Sequence, residues 1–230
     1  MPISNRHLPV QISGLTSVTK IASDHGQLFA QKSDGTVWAW GSNLFGELGD
    51  DTTTDRATPV QVHGINGIGF LSGVSEVIGC GYHSIALKDD GTVLSWGLNL
   101  NGELGVGSTS PSFVSHPVQV AGLSGITALA TNGSAAHSLA LKSDGTVWAW
   151  GSNSDGQLGD GTTADRASAV QVKGPDGIGF LQDVVAIAAG YHFSLALKSD
   201  GSLWGWGDND VYELGDGTWI DRLTPVRVLQ

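Results

Sequence analysis

Residues 32–71 and 142–181 are identical at 30 of 40 positions, at a constant offset of 110 residues. The string "SDGTVWAWGSN" fills 33–43 and returns at 143–153, with weaker copies "KDDGTVLSWGLN" at 88–99 and "KSDGSLWGWGDN" at 198–209. A Trp-Gly pair marks all four units: Trp40-Gly41, Trp96-Gly97, Trp150-Gly151 and Trp206-Gly207, spaced by 56, 54 and 56 residues. A repeat of this period is one supersecondary block that cannot bury its apolar face alone, so the chain has to fold as a stacked array.

The third unit shows what one block contains. "ITALAT" reads as a strand packed on both faces, and "HSLALK" as a second strand. "SDGT" supplies a turn in which Asp144-Gly145 permits the positive φ of a two-residue hairpin. In "VWAWG" Val147 and Ala149 share one face and Trp148 and Trp150 the other, and "SAVQV" follows a polar loop as the fourth strand. Four short strands per unit, with almost no helical periodicity, predict an all-β propeller of four-stranded antiparallel blades. Its units fall at about 10–62, 63–120, 121–172 and 173–228 of a single domain, 1–230. The recurring Trp reads as core between adjacent sheets. Trp219, in "GDGTWIDRL", breaks the pattern and belongs to a loop.

Composition narrows the function. Gly, at 34 of 230 residues, signals many tight turns. A formal charge of -11 would repel phosphate backbones and anionic lipid, so neither nucleic acid nor membrane is an expected partner. The single Cys80 rules out an internal disulfide framework and fits a reducing compartment. The start, "MPISNRHLPVQI", has no basic-then-apolar leader pattern and no run of 18 apolar residues occurs, which makes a cytoplasmic location the default, with a secreted fragment the alternative.

No catalytic constellation stands out, and no enzyme activity, cofactor or metal is expected: the Gly-x-Ser-x-Gly, His-Glu-x-x-His and phosphate-loop motifs are all missing. Cys80 and His83 in "CGYH" are the nearest approach, but Cys80 holds a small-residue position, where the other units have Ser23, Thr131 and Ala189. The acidic loops "GDDTTTDRA", "GDGTTADRA" and "GDGTWIDRL" raise a calcium reading. Their spacing departs from an EF-hand, and loop-closing bonds from Asp and Thr to backbone amides account for them more simply. "GINGIGFL" at 64–71 and "GPDGIGFL" at 174–181 are too apolar for ordinary surface turns. Ile65, Ile68, Phe70, Leu71, Ile178, Phe180 and Leu181, together with Trp219, form the candidate partner or self-association surface, with local core as the competing reading.

The motif string running from Gly133 and His137 through "SLAL", Asp144, Gly145, Val147, Trp150, Gly151 and Asn153 to "GQLG" resembles the regulator of chromosome condensation repeat. "WGSNLFGELG", "WGLNLNGELG" and "WGDNDVYELG" carry it in the other units. The family's His falls on His83 and His137, whereas Gln27 and Phe193 occupy that register elsewhere; its bland role is to tie neighbouring turns together. Tyr212 replaces a motif Gly.

The resemblance implies a propeller that usually closes with seven blades, and only four units are present. A fourth-strand-like "LPVQI" at the start and "TPVRV" at the end leave three outcomes: a closed four-bladed ring, an open arc that pairs with a second copy, or part of a longer propeller. The leading functional expectation is a non-enzymatic scaffold that binds a protein partner through rim loops, with a homo-oligomer completing the propeller. Guanine-nucleotide exchange on a small GTPase, and enzyme inhibition by the propeller face, are the alternatives that the resemblance admits. Light sensing is disfavoured, because that branch's clustered Trp-Arg motifs are missing.

Overall fold

This computed structural model describes residues 8–132 and 136–229; Gly133 of the motif lies outside them. The first sheet comprises β1 (Val18–Asp24), β2 (Gln27–Lys32), β3 (Val37–Gly41) and β4 (Arg56–Gln61). The second is β5 (Val74–Cys80), β6 (His83–Lys88), β7 (Val93–Leu98) and β8 (Phe113–Gln119). The third is β9 (Ile126–Thr131), β10 (His137–Lys142), β11 (Val147–Gly151) and β12 (Arg166–Gln171). The fourth is β13 (Val184–Ala189), β14 (Phe193–Lys198), β15 (Leu203–Gly207) and β16 (Arg222–Arg227). Within every sheet strand order follows chain order and neighbours run antiparallel, so each unit is a four-stranded meander, as the spacing predicts.

Two local readings need correction. The β10–β11 turn is a three-residue loop: Leu141 pairs with Val147, and the Lys142 amide donates to the Thr146 carbonyl at 2.9 Å. Gly145 takes the positive φ of 79°. Asp144 stays out of that region because its Oδ1 accepts from the Thr146 amide at 3.1 Å and hydroxyl at 2.6 Å. The fourth strand of this unit also begins earlier than "SAVQV", at Arg166, which pairs with Gly151.

The opening "LPVQI" forms no strand. A strand exists by pairing its backbone, and among the described residues these have no strand partner. Ile12 and Leu15 lie instead on the outward face of the first sheet, where they line a groove of about 460 Å³ with Ile21, Leu28 and Trp40.

The core is divided among the joints between consecutive sheets. Phe29, Val37 and Leu48 meet Val74, Val77 and Trp96 at the first joint. Ile85, Val93 and Val120 meet Ile126, Leu129 and Trp150 at the second. Leu139, Val147 and Leu158 meet Val184, Ala196 and Trp206 at the third. The first and last sheets do not pack on each other, and Ile21 on the first is 82 % exposed. Four blades therefore form an open arc, not a closed four-bladed ring.

Candidate interaction surfaces

The joints are built from one polar unit used repeatedly. Trp96 Nε1 donates to the Glu47 carbonyl at 2.6 Å, Trp150 Nε1 to Glu103 at 2.8 Å and Trp206 Nε1 to Gln157 at 2.9 Å. These three indoles are fully buried, as the core reading of the repeated Trp requires. Ser84 Oγ also donates to the Glu47 carbonyl and Ser194 Oγ to that of Gln157, both at 2.9 Å. Trp40 has no such carbonyl among the described residues, and it is only half-buried. The serine was overlooked in the sequence, although it recurs in "HSIALK", "HSLALK" and "FSLALK".

His83 and His137 extend this unit across the joints. His83 Nε2 lies 3.4 Å from Ser138 Oγ, and His137 Nε2 lies 3.0 Å from Ser194 Oγ. The histidines thus link adjacent sheets, whereas the sequence suggested neighbouring turns. Burial pushes the His83 pKa down to about 4; burial, then the nearby His192 and His83, push that of His137 down to about 3. Both rings are neutral at ordinary pH.

The acidic loops satisfy themselves. Asn43 Nδ2 donates to Asp50 Oδ1 and to the carbonyls of Thr52 and Thr54, all at 3.1 Å, while Asn43 Oδ1 accepts from the Leu48 amide at 2.9 Å. Asp55 accepts from the Asn43 amide at 2.9 Å, and Arg56 Nε donates to Asp50 Oδ2 at 2.6 Å. Asn153 and Asn209 repeat the arrangement, with Arg166 on Asp160 and Arg222 on Asp216. A guanidinium therefore bonds one oxygen of each inner carboxylate. Burial opposes ionisation of Asp216, but bonds from Thr218 and Arg222 win and hold its pKa down to about 2. Asp208, Asp210 and Asp221 bring carboxylate oxygens within 4.8 Å of one another at the surface, and the charges of Asp208 and Asp221 raise the pKa of Asp210.

The eight candidate surface residues separate by burial. Leu71 and Leu181 are not available to a partner: each is 2 % exposed and packs in a joint, beside Val62 and Val172 respectively. Ile65 is half-buried against the first joint. Ile68 (78 %), Phe70, Ile178 (79 %), Phe180 and Trp219 are exposed.

The two apolar turns are held by the same backbone bonds: Gly64 amide to Gly69 carbonyl and Leu71 amide to Val62 carbonyl in one, Gly174 to Gly179 and Leu181 to Val172 in the other. Asn66 and Asp176 both sit at φ 56°, and each turn rests on the outer strand of its own sheet, β8 or β16. Phe70 packs edge-on to His63 with centroids 5.7 Å apart, and Lys173 Nζ lies 5.0 Å from the Phe180 ring centroid.

Cys80 is buried at a joint, where desolvation pushes its thiol pKa up, away from a reactive thiolate. Among the described residues no helix is long and apolar enough to cross a membrane.

Four hairpin-linked meanders joined by the same Trp-to-carbonyl bond define a repeat β-propeller. The chain belongs to the RCC1-like domain family, whose profile matches residues 2–230. It is 30 % identical over 209 residues to the ultraviolet-B receptor UVR8 of Arabidopsis thaliana, covering 90 % of this chain and 45 % of the receptor. To the probable E3 ubiquitin-protein ligase HERC6 of Homo sapiens it is 35 % identical over 211 residues, covering 90 % of this chain and 20 % of the ligase. The chain thus spans less than half the length of these two relatives. The crystal structure of yeast RCC1 (Prp20) bound to Kap60 superposes with a TM-score of 0.78 at 22 % identity, covering 95 % of this chain and 50 % of that one. Prp20p from Saccharomyces cerevisiae, described with its binding to Gsp1p and histones, gives 0.74 at 24 % identity, covering 96 % of this chain and 53 % of that one.

Proposed function

We propose that this propeller is a non-enzymatic scaffold that binds a protein partner through the two apolar turns on its rim. One observation carries the reading: Ile68 with Phe70, and Ile178 with Phe180, are exposed at equivalent positions of turns fixed by identical backbone bonds. A turn whose backbone is already tied loses little backbone freedom on binding, so its apolar side chains suit recognition. The Asn66 and Asp176 backbones are held at positive φ, a cost a plain connection would avoid. Two copies of one site, 110 residues apart in sequence, would let a partner with a repeated motif bind at both. Relatives in the same family are named as a receptor and a ligase, and a related yeast protein is described with protein partners, in keeping with an interaction role.

The test is affinity capture with the natural chain and with a quadruple variant, Ile68→Ser, Phe70→Ser, Ile178→Ser and Phe180→Ser. A partner bound by the first and lost by the second, at unchanged melting temperature, supports the reading. Retention of every partner by the variant sinks it. Accelerated nucleotide release from a small GTPase would replace it with exchange activity.

A further inference from the structure

Two positions face each other at every internal joint. On the leading sheet stands Gln27, His83 or His137; on the following sheet stands Ser84, Ser138 or Ser194. Gln27 Oε1 lies 3.4 Å from Ser84 Oγ, whose proton goes to the Glu47 carbonyl at 2.9 Å, so glutamine takes at the first joint the position that histidine takes at the other two. The arc leaves one position of each kind without a facing sheet, although Ile12 and Leu15 lie beside Leu28 on the first sheet. At the free face of the fourth sheet Phe193 stands in the histidine position, and at the free face of the first sheet Leu28 stands in the serine position. The polar residue is lost at both open faces and at neither side of any internal joint, and each loss yields an apolar side chain.

We propose that the two open faces dock on each other between two copies of this chain, head to tail, with Phe193 of one copy against Leu28 of the second. A histidine facing Leu28 would lose its hydrogen bond on burial, so the free face of the first sheet rejects the partner type used inside the arc. Against each other the two substitutions are complementary. The rest of the joint is also half-built on each side. Trp40 offers an indole N–H that meets no carbonyl among the described residues, and the Glu213 carbonyl holds the place that Glu47, Glu103 and Gln157 hold at the internal joints. Ile21 and Leu197, exposed in the free chain, come from the same two faces.

Tyr212 makes this joint looser at one point. It replaces Gly46, Gly102 and Gly156, where an added Cβ would lie 2.5 Å from atoms of the next sheet's outer strand. The Tyr212 loop must therefore stand further off the second copy than its counterparts stand off their neighbours.

Association is read by sedimentation equilibrium over a range of concentrations, with circular dichroism to verify folding. The natural chain should associate; a sharp dimer means that two such joints close the pair, and a ladder of larger species means that one joint forms without closure, both of which support the docking. Leu28→Lys and Phe193→Glu, each on a partly exposed side chain, should each weaken association at least about tenfold. Mixing the two variants should restore a hetero-pair, since one joint regains Phe193 against Leu28. Tyr212→Gly should tighten association. A natural chain that stays monomeric throughout overturns the proposal, and so do folded Leu28→Lys and Phe193→Glu variants that associate as the natural chain does, or that fail to recover on mixing.

Discussion

The indole of Trp150 donates its N–H to the backbone carbonyl of Glu103, 47 residues earlier and on the preceding sheet, at 2.8 Å. It is the one hydrogen bond to that carbonyl among the described residues, and the indole that makes it is completely buried. Replacing Trp150 with Phe keeps most of the apolar volume and removes the donor. The expected loss is about 1–3 kcal/mol, the cost of leaving a buried acceptor unpaired. Trp40→Phe, at a half-exposed indole with no such bond, should cost less than about 1 kcal/mol. Urea denaturation of the two variants checks the difference; equal losses would mean that the bond contributes nothing.

Gly102 sits at φ 84°, and an added Cβ would meet the Ala167 Cα at 2.5 Å. Gly122 sits at φ 76° with nothing within 4 Å. Alanine at either position meets the strain of the left-handed region, about 1–2 kcal/mol. Gly102→Ala must also move the outer strand of the third sheet, so its melting temperature should fall further than that of Gly122→Ala.

His83 and His137 set an acid limit. Their folded pKa values, about 4 and about 3, lie below the unfolded value of about 6.5. Above pH 6.5 both states bind no proton at these rings, and the stability they permit is fully present. As pH falls from there toward 4 the unfolded chain takes up protons that the folded chain cannot, so stability falls. Gln27 shows that glutamine serves the same position, and His83→Gln should flatten the stability profile between pH 6.5 and 4 without lowering stability at pH 7 by more than about 1 kcal/mol. An unchanged profile would show that His83 titrates normally in the fold.

Asp216 reports on its loop. Arg222→Gln removes the charged donor from a carboxylate held at about 2, so its pKa should rise by NMR titration. A folded pKa below the unfolded value contributes stability above about pH 3.9, lost as pH falls toward 2, and the variant should lose part of that contribution. Calcium should leave the melting temperature of the natural chain unchanged, because Arg56, Arg166 and Arg222 already sit on the inner carboxylates. A rise with calcium would put a cation in these loops.

Strands and their grouping into four-stranded blades were legible in the sequence because period-2 alternation and Asp-Gly or Gly punctuation are local signals. β9, β10 and β11 begin and end where "ITALAT", "HSLALK" and "VWAWG" do. Asp55-Arg56 invites a reading as a neighbouring pair, yet Asp55 turns to the Asn43 amide and Arg56 to Asp50, because loop closure is decided in three dimensions. "LPVQI" resembles a strand in composition and becomes coil, since pairing is a property of neighbours. Leu71 and Phe70 are adjacent and equally apolar, but one fills a joint and the other faces solvent. The recurring Ser beside the His could have been found by asking which polar residues hold their place in strands that are otherwise apolar.

The Glu47 and Gln157 carbonyls each accept two donors from the next sheet, while that of Glu103 accepts one. The connection across that middle joint also lacks the 3-10 turn found at 65–67 and 175–177. The lightly stapled seam falls between β8 and β9, where the two copied 110-residue halves meet. Each half carries its own doubly bonded joint, and the array is expected to move as two stiffer plates about that seam. Slow breathing of the protein should be concentrated there, with amide protons protected inside each plate and released first along the line between them.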